Sequence, residues 1–563
     1  MKFIETAKIY GHLISFLATQ NRFNLSYHPG GTDRNRFITA AEAAKQIPDG
    51  STVISVGMAG HARCSILFRA IRNSYLKDKT PKDLTWMTVS AQGGRGKAPG
   101  TVEEVAVSGL IKEYISGHVE TAHKQLEMGA NKEIEIHILP QGEITRILHN
   151  QSEGNATCLS SIGIGTFLDP DLGGNTAATP HSTKSYVKKN GDLLEYSLPK
   201  INVALFNAPY ADNEGNIYFK NASAITEIRE AALAAKYNGG KVIATVSQII
   251  EKDEASISLP SKHVSHIVVN PANEQTASIK QRKYWPMFTE GAKECMEKSI
   301  AKMNTINSIT SYSPKRGPVD NILARMAASL FVKVAQKGNL VNLGIGLPEE
   351  VGRLVYEGGL FDDFTFSSET GVYGGLPASG LFFGGAINPQ KMYSSAWIFN
   401  HYKTSLDITV LGTLQVDSKG NVNVSKRGEG VKNYVGPGGF MNIADSAKTI
   451  IFIGSWMAKA EFKLKDGKLT LIKKGIPKFV DEVLEVTFNA QAALEKGKTV
   501  YYVTTVGIFK LTEKGPELIQ VMPGIDVQRD ILEASTAKIQ ISENLELVSE
   551  SIATGHGYKL AWD

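Results

Sequence analysis

The chain has 563 residues, enough for three or four domains of ordinary size or two large ones. Apolar residues make up 42% and charged residues 21%, a globular balance that excludes collagen-like, disordered and disulfide-stapled chains. Lys and Arg total 61 against 56 Asp and Glu; the net charge of +5 is too small at this length to point to nucleic acid or a membrane surface, and it suits anionic small ligands.

Residues 1–20 hold no apolar stretch of signal-peptide length, because Glu5, Lys8, Tyr10 and His12 interrupt it. Neither a secretory signal nor a transit peptide is expected. No run of about 18 apolar residues occurs, so no bilayer span is expected. Cys64, Cys158 and Cys295 are far apart, with no C-x-x-C. They read as reduced thiols in a cytoplasmic protein, not as a zinc ribbon or redox pair.

From Asp49 the sequence reads short apolar strand, Gly-containing turn, amphipathic helix, and the same pattern returns from Lys337. Short apolar strands of this kind suit a buried parallel sheet, and the Gly turn lets backbone approach a ligand at the strand's carboxyl end. A second repeated pair follows. Residues 201–220 and 406–426 each run from a β-rich segment to Asp, two residues, Gly-Asn, and a second β-rich segment. Asp212 aligns with Asp417 and Gly215-Asn216 with Gly420-Asn421, at a constant offset of 205. Asp and Gly-Asn supply the local hydrogen bonds and positive φ of a tight hairpin. Each hairpin is followed by a further β-rich run, at 241–248 and 449–456. The expected architecture is therefore α/β, with two related open α/β domains in tandem and the active site between them. The expected division is a first half over 1–283, a connecting segment over 284–318 that is helical in part, and a second half over 319–563. Ile322, Met326, Leu330 and Val334 recur at helix spacing and predict a helix opening the second half.

Familiar nucleotide and hydrolase motifs are missing. No G-x-G-x-x-G opens a helix, since Gly344 and Gly346 lack the third glycine. No P-loop or G-x-S-x-G elbow occurs. His263 and His266 lie beside a β-rich run without an evident third ligand, so no metal is expected.

The most unusual stretch is 364–389. A strand-like run over 364–368 ends at Glu369, and glycines follow at 371, 374, 375, 380, 384 and 385. A carboxylate above a Gly-rich wall at a strand end is where α/β sheets place ligands. Around it stand N-L-G-I-G-L-P at 342–348, S-E-T-G at 368–371, G-G-L-P-A-S-G at 374–380, N-P at 388–389, Q-V-D at 415–417, G-N-V-N-V-S at 420–425 and G-P-G-G-F at 436–440. The first half adds L-P-Q-G at 139–142, G-I-G-T-F-L-D-P at 163–170 and A-D with G-N at 211–216. Together, over about residues 40–515, these resemble the class I coenzyme A transferases, especially the fused single-chain acetate/propionate CoA-transferases.

The resemblance implies roles. Glu369 is carried over as the nucleophile that forms a glutamyl-CoA thioester in ping-pong transfer between short-chain carboxylic acids. Gln141 and a backbone N–H of Gly438 or Gly439 are carried over as oxyanion donors. The turn of Gly344, Ile345, Gly346, Leu347 and Pro348 offers free N–H groups to the CoA arm, which is negatively charged and rich in amides. Acyl-CoA and short-chain carboxylates are the expected partners, with coenzyme A as substrate and product, no tightly bound cofactor, and a homodimer or homotetramer.

There are departures from the family pattern. The turn over 57–63 lacks the usual Gly-Gly-Phe and later Pro, Thr370 follows Glu369, 399–405 replaces a glycine-rich stretch, and 426–428 replaces an aromatic-Gly pair. Met58, His61 and Tyr373 are candidate lining for the acyl pocket. An acyl-CoA hydrolase using the same glutamate, or a non-catalytic acyl-CoA sensor, stays open from sequence alone.

Overall fold

The computed structural model describes residues 3–19, 21–93, 99–276, 279–280, 284–310 and 316–562. Residues 281–283 and 311–315, at and within the expected connecting segment, lie outside the described residues.

The first sheet is built from β1 (Thr52–Ser55), β2 (Leu84–Thr88), β3 (Ile111–Ser116), β4 (Glu135–Ile138), β5 (Val203–Asp212), β6 (Lys241–Ile250) and β7 (His266–Val269). Along the path β7-β6-β5-β1-β2-β3-β4 every pair is parallel, and the two-residue strand Ile217–Tyr218 pairs antiparallel with β5 off that path. β5 is buried at all ten positions, as a central strand covered on both faces must be. The second sheet holds β8 (Leu340–Leu343), β9 (Thr365–Ser367), β10 (Val372–Tyr373), β11 (Lys391–Met392), β12 (Ile408–Gly412), β13 (Thr449–Ile453), β14 (Thr499–Thr504), β15 (Gly507–Thr512), β16 (Gly515–Val521) and β17 (Gln540–Leu547). Its order is β11-β10-β9-β8-β12-β13-β14-β15-β16-β17.

The parallel path β6-β5-β1-β2 of the first sheet matches β13-β12-β8-β9 of the second, so the internal repeat is a repeat of topology. The hairpins repeat atom for atom. Asp212 accepts from the N–H groups of Glu214 and Asn216 at 2.9 and 3.0 Å and from the Asn216 amide at 2.8 Å. Asp417 accepts from the N–H groups of Lys419 and Asn421 at 2.9 and 2.8 Å and from the Asn421 amide at 2.9 Å. Asp212 also accepts from Tyr218 Oη at 2.7 Å. Asp212→Ala, which strands these buried donors, is expected to lower stability by about 3 kcal/mol, read as a shift of the urea midpoint.

Helices α1 (Phe3–Thr19), α2 (Ser65–Asp78), α3 (Gln141–Ser152), α4 (Ile228–Tyr237), α5 (Met296–Ile309), α6 (Pro318–Val334), α7 (Leu347–Glu357), α8 (Ser395–Ser405) and α9 (Phe440–Ser446) position the site. α6 opens on a Pro at its first position and buries Ile322, Met326 and Leu330 on one face. α5 covers part of the expected connecting segment; its Met303 and Ile306 pack with Trp285, Phe288, Phe382 and the α1 residues Ile9 and Leu13. The chain passes from β1 to β2 on one side and later to β5 on the other, which makes the carboxyl end of β1 a switch point; β8 is the counterpart in the second sheet. No described helix is long and apolar enough to cross a membrane. Cys64 and Cys158 are buried, Cys295 is exposed, and all three are unpaired.

Candidate active site

Glu369 sits in the turn that leaves β9. The Ser368 N–H donates to Val372 O at 2.9 Å, and the Gly371 N–H donates to Ser368 O at 3.0 Å. Gly371 has φ +99°, and a Cβ there would collide with the Tyr393 carbonyl, so this turn requires glycine. Glu369 keeps some surface, but its carboxylate is packed among protein atoms. That burial pushes its pKa above the ordinary carboxylate value; its own N–H, the Asn342 amide and the Ser368 hydroxyl oppose the rise. Ser368 Oγ lies 3.4 Å from Glu369 Oε2. Asn342, on β8, is itself held: its amide donates to Ser367 O and Tyr402 Oη at 3.3 Å each, and Thr409 Oγ1 donates to its Oδ1 at 3.3 Å.

The loop after β1, residues 57–61, ties this turn to Gln141. Gly57 has φ +133°, and a Cβ there would strike the His61 carbonyl. Met58 and His61 exchange backbone hydrogen bonds at 3.1 and 2.8 Å. Met58 Sδ accepts from Gln141 Nε2 at 2.9 Å. On the other side of the loop, His61 Nε2 donates to Phe383 O at 3.0 Å, and its Nδ1 lies 2.7 Å from Ser223 Oγ. Burial pushes the imidazole down to about 4, so His61 is neutral at pH 7. Thr370, next to Glu369, donates its hydroxyl to Gly384 O in the same glycine wall. The loop thus contacts both Gln141 and the wall that flanks Glu369.

Gln141 opens α3 and is buried. Its backbone N–H donates to Gly438 O at 2.9 Å, and Gly142 N–H donates to Asn442 Oδ1 at 3.0 Å. The Asn442 amide donates back to Glu143 Oε1 at 2.9 Å. Residues of the two sheets' domains therefore meet here, as the sequence predicts. The Gly438 N–H donates to Gly117 O at 2.7 Å. Among the described residues, the N–H of the neighbouring Gly439, at the N-cap of α9, donates to no backbone carbonyl.

The turn of Gly344, Ile345, Gly346, Leu347 and Pro348 joins β8 to α7. The Gly344 N–H is used on Val410 O at 2.8 Å, while Ile345 and Gly346 donate to no backbone carbonyl among the described residues. Gly346 has φ +91° and open space where a Cβ would stand. Glu349 and Glu350 fill the first turn of α7, and Glu350 pairs with Arg316 and Arg353 at 3.2 and 2.8 Å. Two carboxylates already occupy the dipole's favoured position, which suits this turn to a neutral amide stretch better than to a phosphate.

Of the candidate lining residues, Met58 and His61 are buried connectors, and Tyr373 packs edge-on to Tyr393 and His401 at 5.8 and 6.1 Å. Sequence reasoning missed Asn342 as a partner of Glu369; the only signal was a polar side chain within an otherwise apolar four-residue strand. It also missed a group of buried Glu113, half-buried Glu135 and buried His137, whose ligand atoms lie within 4.8 Å of one another. Tyr186, Thr85 and Ser182 donate to its oxygens at 2.6, 3.0 and 2.6 Å, and Lys184 adds a cation 3.5 Å from Glu113, so protein groups already satisfy it.

The sequence profile described as Coenzyme A transferase matches residues 37–270 and 325–532. The caffeate CoA-transferase of Acetobacterium woodii is 33% identical over 522 residues, covering 91% of this chain and 96% of that protein. The acetate CoA-transferase YdiF of Escherichia coli (strain K12) is 29% identical over 525 residues, covering 92% and 94%. The crystal structure of the acyl-CoA transferase YdiF apoenzyme from E. coli O157:H7 superposes with a TM-score of 0.80 at 27% identity, covering 93% of this chain and 98% of that one. With both halves matched and the fold shared, the chain belongs to the coenzyme A transferase family and is a transferase that moves CoA between carboxylic acids.

Proposed function

We propose that this enzyme transfers CoA through a covalent Glu369-CoA thioester. A Glu369 oxygen attacks the thioester carbonyl carbon, the C–S bond breaks, and CoA leaves as thiolate with the electron pair, giving a mixed anhydride. The thiolate then attacks the Glu369 carbonyl carbon, the anhydride C–O bond breaks, and the first acid departs as carboxylate. A second carboxylate runs the same steps in reverse. Thioester energy is conserved throughout, so no ATP is consumed.

The observation that carries this reading is the junction at loop 57–61, which touches Gln141 through Met58 and the glycine wall beside Glu369 through His61. Gln141 Nε2 rests on a thioether, a weak acceptor, and is thus available to an oxyanion; Gly439 N–H is the second donor. A relative from E. coli O157:H7 has been crystallised as a thioester complex with CoA. The turn at 344–348 meets the amides of the CoA arm. The boundary at 284–318 and the homo-oligomeric, cytoplasmic setting belong to the same proposal.

Short-chain acids are the proposed acyl substrates. A cavity of about 20 Å³ beside Ser368, lined by Leu343, Phe366, Val372, Ala378 and Gly384, fits a methyl-sized end. A second reading has its own support: Tyr393, Trp397 and His401 stack at 3.8 and 4.6 Å beside Tyr373, a surface suited to an aromatic acid such as the one named for the A. woodii relative. Acetyl-CoA without acceptor is expected to leave an adduct of intact enzyme plus CoA that peptide mapping places on Glu369. Full transfer with no adduct overturns the mechanism, and a higher kcat/KM for an aromatic acyl-CoA than for acetyl-CoA selects the second substrate class.

A further inference from the structure

Glu227 occupies the N-cap of α4, yet its side chain makes no capping bond. It turns inward and is fully buried. Oε1 accepts from the Gly57 N–H at 3.0 Å, and Oε2 accepts from Ser395 Oγ at 3.3 Å. The adjacent Thr226 carbonyl accepts from the Ser395 N–H at 2.9 Å. One carboxyl group therefore joins the start of loop 57–61 to the first turn of α8, across the meeting of the two halves. Among the described residues, no Lys or Arg forms an ion pair with it. The groups facing it are the Gly57 amide from the loop, Ser395 from α8, and Glu230 one turn along α4, itself buried near Arg229 and His149; His61 on the loop is neutral. A buried acid without a cation is costly, and packing alone gives no reason for it.

We propose that Glu227 is a positioning residue for CoA transfer: by clamping Gly57 to Ser395 it fixes the loop that sets the Gln141 amide and the glycine wall beside Glu369. This rests on the reading of Glu369 and Gln141 given above. Burial pushes the Glu227 carboxyl up to about 7. Both of its bonds run inward from donors, so the ionised form satisfies both, while the protonated form must present its own proton to Ser395. The clamp tightens as pH rises through 7. Stability runs the other way: the folded state holds this proton more firmly than the unfolded chain, so its contribution is full below 4.5 and lost as pH rises through about 7.

The test compares full-length wild type, E227Q and E230Q with acetyl-CoA as donor, between about pH 5.5 and 9. Wild type is expected to show an inflection of kcat near 7, where Glu227 titrates. E227Q, isosteric with the protonated acid, is expected to lose that inflection, with kcat about tenfold lower above it and KM within about twofold. E230Q keeps it. The adduct on Glu369 still forms in E227Q, more slowly. An unchanged inflection and kcat in E227Q overturn the clamp and leave the Glu369 reading intact; a wild type without adduct overturns that reading instead. If E227Q does not fold, E227D, which keeps the acid with shorter reach, is expected to retain the inflection at lower kcat, and wild-type kcat in E227D overturns the clamp.

Discussion

Glu369→Gln is expected to give a folded enzyme whose CoA transfer lies at least about a thousandfold below wild type, with no covalent adduct. The amide keeps the size of the side chain and can still accept from Asn342 and Ser368, but it has no anionic oxygen to attack a thioester. Two further consequences follow from the burial that raises this carboxyl. First, ionisation is required for attack, so the acid limb of wild-type kcat/KM should lie above 4.5, the ordinary value for glutamate, with activity falling as pH drops through it. Second, Gln removes a buried charge that no cation among the described residues neutralises, so the variant should melt no lower than wild type at pH 7 and higher if the burial cost dominates. Activity that collapses while the melting temperature holds separates a chemical role from a structural one. Near-normal transfer in the variant would remove Glu369 from the mechanism.

The fold was legible because its grammar is local. Asp212 with Gly215-Asn216 and Asp417 with Gly420-Asn421 each encode a hairpin in five residues, and the offset between them exposes the duplication before any sheet is drawn. The apolar strand runs likewise mark parallel, doubly covered positions, as β5 and β13 turn out to be. Glu369 was legible as the carboxylate before a chain of glycines, and the positive φ at Gly371, Gly374, Gly375 and Gly384 explains why the chain is glycine there.

What stayed hidden depends on pairings between distant residues. Nothing in the G-P-G-G-F segment says that the Gly438 N–H is spent on Gly117 O, because that bond joins positions far apart in sequence. Met58 stood as candidate pocket lining, and only the fold puts the Gln141 amide on its sulfur. Glu227 carries no motif in the sequence; only the fold shows its side chain turned from the start of α4 toward Gly57 and Ser395. Asn342 sits in the recognised 342–348 motif but draws attention only once Tyr402, Ser367 and Thr409 are seen around it. Motifs identify the residue that carries charge; the groups that hold it in place come from other strands and loops.

Gln141→Ala is expected to lower kcat by about a hundredfold to a thousandfold while changing KM for acyl-CoA little. In the resting enzyme the Gln141 amide donates to a thioether, a bond that costs little to give up. In the proposed mechanism an oxyanion forms only as Glu369 attacks the carbonyl, and an anionic oxygen is a far stronger acceptor than sulfur. The amide therefore gains most in the transition state, and its loss should appear in kcat. The fold should tolerate the change, because the contact that docks α3 on the 436–439 loop is the Gln141 backbone N–H to Gly438 O, which alanine keeps. Single-turnover rates of adduct formation in the variant, measured beside its melting temperature, check this directly. A rise in KM with kcat unchanged would mean that Gln141 holds the ground state, and the Gly439 N–H would then be left as the sole donor for the developing charge.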